Sequence, residues 1–194
     1  MKRLIAAATI CVGLASAAVF AGTTSGTATP PTLTYSDRYL TNTVTVTFDA
    51  PVSDVRAFMA ANPLTNFLEP SGRIPKITDI TVYEGVWGEP GAERRVDLEG
   101  GSSVLERVIS NTDDAFTYQI WNITTPAGRF IDYIYGEILL SETAEGTELT
   151  WNYNIKPSVF FARPAIRSYL TEDFSPFMEN GMRGFAAAYS AQNS

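Results

Sequence analysis

The segment from Phe174 to Tyr189 constrains the fold most, because it predicts a helix with one large aromatic and sulfur-containing face. Residues three and four positions apart lie on the same side of a helix. This side is formed by Phe177, Met178, Gly181, Met182, Phe185 and Tyr189. Such a face is either ordinary core or a surface that contacts a ligand. In both cases it needs a concave partner, so we expect a curved sheet wrapped around one long C-terminal helix.

Most of the chain before this helix has the pattern of β-strands. Residues 147–155 illustrate it, because Leu149, Trp151 and Tyr153 alternate with polar residues. Turn-forming residues rich in Gly, Pro, Asn and Asp separate the strands. We predict seven antiparallel strands connected as a meander, over residues 42–48, 77–83, 93–98, 103–110, 116–122, 130–140 and 147–155.

Shorter helices are predicted on both sides of the sheet segments. Two follow the first strand, over residues 51–59 and 64–68. A third, over residues 164–171, leads into the C-terminal helix. Ser175 is the expected N-cap of that long helix and Pro176 its first helical residue. Because proline disrupts a helix interior, we expect a kink or break there.

The N-terminus has the layout of a secretory signal peptide. Lys2 and Arg3 precede an apolar run that ends at Phe20, and small residues allow cleavage after Ala17 or Ala21. We therefore expect a signal peptide over residues 1–21, a flexible spacer over 22–34 and one domain over 35–194, in a periplasmic or secreted protein. The apolar run is also near the ~18 residues of a membrane span, so an uncleaved N-terminal anchor is the alternative.

Missing residue types exclude several kinds of site. The chain has no histidine, which removes His-based triads and His-ligated metals. Its one cysteine, Cys11, lies in the leader, so the exported domain has no disulfide and no thiol nucleophile. Cleavage leaves twelve basic and twenty-one acidic residues, a formal charge of −9, which disfavours nucleic acid and anionic headgroups. We predict no metal site, no cofactor, no nucleic-acid partner and no integral membrane domain after cleavage; the oligomeric state is open.

Three short motifs carry a resemblance to a known family. Residues 91–108 include Gly91, Arg94, Glu106 and Arg107 in a Gly-x-x-Arg then Glu-Arg pattern. Residues 146–151 read Gly-Thr-Glu-Leu-Thr-Trp, and residues 50–55 read Ala-Pro-Val-Ser-Asp-Val. In this order and spacing, the chain resembles the START-like and polyketide cyclase/dehydrase proteins of the SRPBCC superfamily. The resemblance implies the α+β helix-grip fold, in which a seven-stranded curved antiparallel sheet, with two short helices after strand 1, wraps around a long C-terminal helix.

That resemblance also implies a cavity between the sheet and the helix for a hydrophobic or amphipathic small molecule. We favour a non-catalytic pocket for a lipid, isoprenoid or polyketide-like ligand. One alternative is a cyclase or dehydratase that uses Glu106 or Asp132 with Tyr118 or Tyr153. Another is an envelope interaction domain whose cavity is filled by its own side chains. The predicted ligand-binding residues are Arg94, Glu106, Tyr118, Tyr133, Trp151, Tyr153, Phe177, Met178, Met182 and Phe185.

The hairpin around Gly100 and Gly101 predicts a specific register. A three-residue loop over residues 99–101 places Arg94 opposite Glu106, whereas a one-residue slip would pair Arg94 with Arg107. Opposite charges across strands are favoured, so we expect the first register. The pair then lies on the apolar face of the sheet, where it acts either as a polar anchor for the ligand or as a strut between two strands.

Overall fold

The computed structural model describes residues 28–34 and 38–193, so the predicted signal peptide lies outside the described residues. Seven strands form one antiparallel sheet in the order β1-β7-β6-β5-β4-β3-β2. Their bounds are β1 Leu40–Phe48, β2 Ile77–Glu84, β3 Glu93–Leu98, β4 Ser103–Asn111, β5 Ala115–Trp121, β6 Ile131–Thr143 and β7 Gly146–Pro157. The predicted α+β architecture is confirmed.

One feature of the predicted topology is wrong, because the chain is a meander only from β2 onward. Strand β1 pairs with β7 along the opposite edge of the sheet, with Leu40 opposite Ile155 and Phe48 opposite Thr147. The connection from β1 to β2 contains helix α1, Val52–Ala61, and a 3-10 turn, Leu64–Phe67. These two elements carry the chain from one edge of the sheet to the other, over its concave side.

The C-terminal helix is more continuous than the sequence predicts. Helix α2, Arg163–Tyr169, runs through a π-helical turn, Leu170–Phe174, into α3, Ser175–Gln192. Ser175 is not an N-cap, because it has helical dihedral angles and its hydroxyl donates to Glu179 Oε1 at 3.0 Å. The expected break at Pro176 is replaced by the π turn. A widened turn accommodates the missing N–H without ending the helix.

Helix α3 lies along the concave face and closes the core. Phe185 is fully buried, and its ring meets those of Phe48, Phe58 and Phe67 edge to face, with centroids 5.0 to 5.9 Å apart. Aromatic pairs favour this geometry beyond the area that they bury. These ring contacts pack α3 against β1, α1 and the 3-10 turn Leu64–Phe67.

Part of the predicted flexible spacer makes ordered contacts with the convex face of the sheet. Trp121 Nε1 donates to Ala28 O at 2.7 Å, and Gln119 Nε2 donates to Pro31 O at 2.8 Å. Trp121 is only 1% exposed. Residues 28–34 thus cover large side chains on the outer face of the sheet, and the flexibility of the spacer stays a prediction.

Candidate functional site

The candidate site is a cavity of about 1030 Å³ between the concave face of the sheet, α1 and α3. Its walls are mostly aliphatic and aromatic, and include Val96 and Ile120 from the sheet. Of the ten predicted ligand-binding residues, eight line it: Arg94, Glu106, Tyr118, Trp151, Tyr153, Phe177, Met182 and Phe185. That these eight bind a ligand remains a prediction.

Arg94 and Glu106 form a buried ion pair in this cavity. They are cross-strand neighbours on β3 and β4, in the register that the hairpin predicts, with Val96 opposite Val104. Arg94 Nε donates to Glu106 Oε2 at 2.6 Å, and the two residues are 8% and 7% exposed. The Arg94 guanidinium also lies 3.6 Å from the ring centroid of Trp87, a cation–π contact. The Arg94 charge is therefore paired, as burial requires, and its guanidinium also stacks on Trp87.

Two tyrosines lie in the same cavity beside the ion pair. Trp151 Nε1 donates to the Tyr118 hydroxyl at 2.9 Å, and the described residues offer no acceptor for the hydroxyl's own proton. Burial and then the negative charge of Glu106 raise the pKa of Tyr118. Burial, followed by the neighbouring Tyr118 and Glu106, raises the pKa of Tyr153 well above its usual range. Both hydroxyls therefore stay protonated near neutral pH and are hydrogen-bond donors.

Gly136 on β6 makes room for these tyrosines. Its register partners are Tyr118 on β5 and Tyr153 on β7. A Cβ atom at position 136 would lie 2.2 Å from Tyr118 Cζ, closer than any real contact. The absence of a side chain lets the Tyr118 ring fold over the strand, so Gly136 positions one of the two donors. No sequence pattern indicated a role for this glycine.

Tyr133 and Met178 do not line the cavity, so their predicted role is wrong. Tyr133 lies on the convex face, where its hydroxyl accepts from the Thr34 amide at 3.0 Å. Strand parity could have shown this, because Ile134 and Ile138 alternate with it on β6 and face the cavity. Met178 is fully buried against β1, where Asn42 Nδ2 lies 3.2 Å from its sulfur.

Asp132, one of the two carboxylates suggested for acid–base chemistry, also lies outside the cavity. It is exposed at an irregularity in the pairing of β6 with β7, between Ile131 and Tyr133. Of the two suggested carboxylates, Glu106 is therefore the one that lies beside the two tyrosines. Within the residues that the structure describes, no cluster of carboxylate or thiol groups could hold a metal ion.

Polar contacts that sequence patterns did not reveal join α1 to other residues of the cavity wall. Arg56 on α1 donates to the side-chain oxygen of Asn111 at the end of β4. Asn111 Nδ2 donates in turn to Gly88 O at 2.6 Å, in the loop between β2 and β3. All three residues line the cavity. Helix α1 is therefore linked to the end of β4 and, through Asn111, to the loop between β2 and β3.

Comparison with known families identifies one match, which covers most of the chain. The family described as polyketide cyclase/dehydrase and lipid transport matches residues 40–189. Among curated protein sequences, none matches this chain. In the described part of the chain no helix is long and apolar enough to cross a membrane.

Solved structures share the fold at low sequence identity. The di-domain ARO/CYC StfQ from the steffimycin biosynthetic pathway has a TM-score of 0.59 and 15% identity; the match covers 81% of this chain and 53% of StfQ. This chain therefore spans about half of that protein. Ara h 8.0201 has a TM-score of 0.55 and 15% identity, over 79% of this chain and 99% of that one. The protein XoxI from Bacillus cereus has a TM-score of 0.55 and 19% identity, over 80% and 98%. These likenesses establish the helix-grip fold.

Proposed function

Because the chain belongs to the polyketide cyclase/dehydrase and lipid transport family, we propose that it binds a hydrophobic or amphipathic small molecule in its cavity. The observation that carries the proposal is the cavity of about 1030 Å³, in which a buried polar cluster, Arg94, Glu106, Tyr118 and Tyr153, lies in a largely apolar wall. Small-molecule sites typically have volumes of ~300 to 1,000 Å³ and a few placed polar groups. A lipid, isoprenoid or polyketide-like molecule has the matching size and polarity. The cavity also argues against an interaction domain filled by its own side chains.

The polar cluster would hold the polar end of such a ligand. Tyr118 and Tyr153 keep their protons and can donate to a carbonyl or hydroxyl oxygen. Arg94 contacts Glu106 through Nε and Nη2. A guanidinium has five N–H donors, which is more than these contacts use. The apolar remainder of the ligand would then lie along Phe177 and Met182 of α3. In this proposal α3 is one wall of the binding site as well as part of the core.

We also propose that the protein acts outside the cytoplasm, as a periplasmic or secreted carrier. The support is the leader-like sequence of residues 1–21, with cleavage after Ala17 or Ala21. Mass analysis of the protein from its own host tests this directly. We expect an N-terminus near Ala18 or Gly22. An intact Met1 on envelope-associated protein would replace export with N-terminal anchoring.

A titration with the fluorescent amphiphile 1-anilinonaphthalene-8-sulfonate tests the polar cluster. The variant Arg94→Met/Glu106→Leu removes both charges together, so it should still fold. The matched control is Arg95→Met/Asp97→Leu, which removes an exposed ion pair from the same strand. We expect the first variant to weaken binding about tenfold or more and the control to leave it unchanged. Unchanged affinity in the first variant would make the pair a structural strut.

A second candidate function is acid–base catalysis at the same cluster. The observation that favours it is a carboxylate, Glu106, beside two protonated tyrosines in one cavity. Tyr153 could donate a proton to a ligand oxygen while Glu106 accepts one from carbon, as in a cyclase or dehydratase. Turnover of a co-purified ligand, lost in Glu106→Gln, would favour this function over simple binding.

A further inference from the structure

Two adjacent phenylalanines project from the loop between β7 and α2. Phe160 is 86% exposed and Phe161 is 78% exposed, and their neighbour Val159 is 37% exposed. The loop, residues 158–162, is called the Phe loop below. Single exposed apolar residues are ordinary, but contiguous large ones mark an interaction surface.

The backbone of the Phe loop is held in place, so the two rings are presented by a fixed scaffold. Ser158 N donates to Phe130 O at 2.9 Å, and Ala162 N donates to Val159 O at 3.2 Å. Ala162 is buried at the end of the loop. The chain next enters α2, with a proline in its first turn. The rings are therefore exposed in a structure whose flanking residues are anchored.

Basic residues surround the Phe loop, although the whole chain is acidic. Lys156 precedes it, and Arg163 and Arg167 follow it on α2. Arg129 lies beside it, because Ser158 Oγ donates to Arg129 O at 3.3 Å. The backbone of Arg38 also lies nearby, because Arg163 Nη1 donates a hydrogen bond to its carbonyl oxygen at 2.7 Å.

These are five of the chain's fourteen basic residues, in a protein of formal charge −7. Three acidic residues accompany them: Asp132 is exposed near the start of β6, Glu172 accepts from Ser168 next to Arg167, and Asp37 precedes Arg38 in the sequence. Basic residues therefore outnumber acidic residues around the Phe loop, by five to three.

We propose that the Phe loop docks the protein on an anionic membrane surface. An exposed apolar group with flanking basic residues fits the boundary between headgroups and acyl chains, where the rings leave water and the cations meet anionic lipids. Charge complementarity selects this partner, because the local charge is opposite to that of the headgroups. The acidic net charge of the whole chain disfavours anionic headgroups in general, but it acts weakly at the Phe loop, since charges beyond about 10 Å are largely screened in salt. The proposal does not depend on what the cavity binds.

A site-specific fluorescent label tests whether the loop enters the membrane. The full chain carrying Cys11→Ser/Phe161→Cys is labelled with nitrobenzoxadiazole and mixed with phosphatidylcholine vesicles containing phosphatidylglycerol. The control carries the label at Val86→Cys, which is 63% exposed in the connection between β2 and β3. We expect blue-shifted emission and protection from iodide at position 161 alone. No shift at 161, or the same shift at 86, would overturn the proposal. Because the readout is local, it holds whether or not the leader is retained.

Charge variants of the labelled protein test the role of the basic residues. Arg129→Gln/Arg167→Gln should raise the lipid concentration at half-maximal shift about tenfold or more, since each cation near an anionic surface contributes substantially. The control Arg183→Gln, an exposed arginine on α3, should leave it unchanged. Phe160→Ser should raise it by a similar factor. Equal effects of the test and control variants would contradict membrane docking. A shift that requires envelope protein instead of lipid would assign the loop to a protein partner and overturn the proposal.

Discussion

Two charged side chains form a buried ion pair in the cavity wall. Arg94 and Glu106 are both almost fully removed from solvent, so each depends on the other for compensation of its lost hydration. Trp87 adds a stacking surface on the remaining side of the guanidinium. An isolated charge in this position would be costly, whereas the pair is tolerated. The same arrangement leaves polar atoms at the cavity surface, where a ligand can meet them.

Arg94→Ala is predicted to cost about 3 to 5 kcal/mol of unfolding free energy, because it leaves Glu106 buried without its partner. Urea denaturation followed by circular dichroism measures this cost. Arg95→Ala is the matched control, since its ion pair with Asp97 is half exposed and should contribute at most about 1 kcal/mol. A loss below about 1 kcal/mol for Arg94→Ala would mean that water reaches the Glu106 carboxylate.

The sequence predicted the ion pair but not all of its surroundings. The register followed from Gly100 and Gly101, both of which have positive φ angles, together with the preference for opposite charges across strands. Tyr133 was misplaced because aromatic character was weighed above the alternation of β6. Trp87 was missed because it lies in a loop, where no periodicity shows which way a side chain points.

Among the elements, the α2–α3 helix unit departs most from the sequence prediction. A proline near the start of a helix was read as a break, yet the π turn before it keeps one helical path from Arg163 to Gln192. The π turn also holds Asp173, which is buried and accepts from Arg73 Nε at 2.7 Å. This bond connects the helix unit to the loop before β2. Such a turn depends on tertiary contacts, which local patterns do not encode.

Phe185→Ala is predicted to cost about 3 to 5 kcal/mol, because it removes a fully buried ring that joins α3 to three neighbouring aromatic rings. Thermal or urea unfolding measures the loss. Arg183→Ala, exposed on the same helix, should change stability by no more than about 0.5 kcal/mol. A cost near 1 kcal/mol for Phe185→Ala would contradict the full burial of its ring.

For the whole molecule, the alternating strands predicted the fold class, and the strand bounds agree within a few residues. The side of each strand that faces α3 must be apolar, so apolar and polar residues alternate clearly along the strands. The pairing of β1 with β7 was not predicted, because alternation does not specify which strand is the neighbour. The contacts of the N-terminal segment with the convex face were not predicted either. Trp121 and Gln119 donate hydrogen bonds to backbone carbonyl groups of the N-terminal segment there. Because every residue has such a carbonyl group, the composition of the segment does not reveal these contacts.

Stability is predicted to fall above about pH 10. Burial raises the pKa of Tyr169 to about 12 and that of Tyr153 well above its usual range. In this range the unfolded chain loses tyrosine protons that the folded chain keeps, so unfolding is favoured as pH rises. Each such tyrosine contributes up to about 1.4 kcal/mol per pH unit. Tyr153→Phe should therefore show a shallower decline of the urea midpoint between pH 10 and 12; an unchanged slope would contradict the buried state of its hydroxyl.

The central claim is that the cavity holds a small apolar or amphipathic molecule. Native mass spectrometry of the protein purified from its own host tests it most directly, because the intact complex retains whatever the cavity contains. We expect a bound hydrophobic mass, one per chain, that dissociates on denaturation and is reduced in Arg94→Met/Glu106→Leu but not in Arg95→Met/Asp97→Leu. Protein that is repeatedly recovered without any bound mass, from cells in which it is naturally produced, would contradict it.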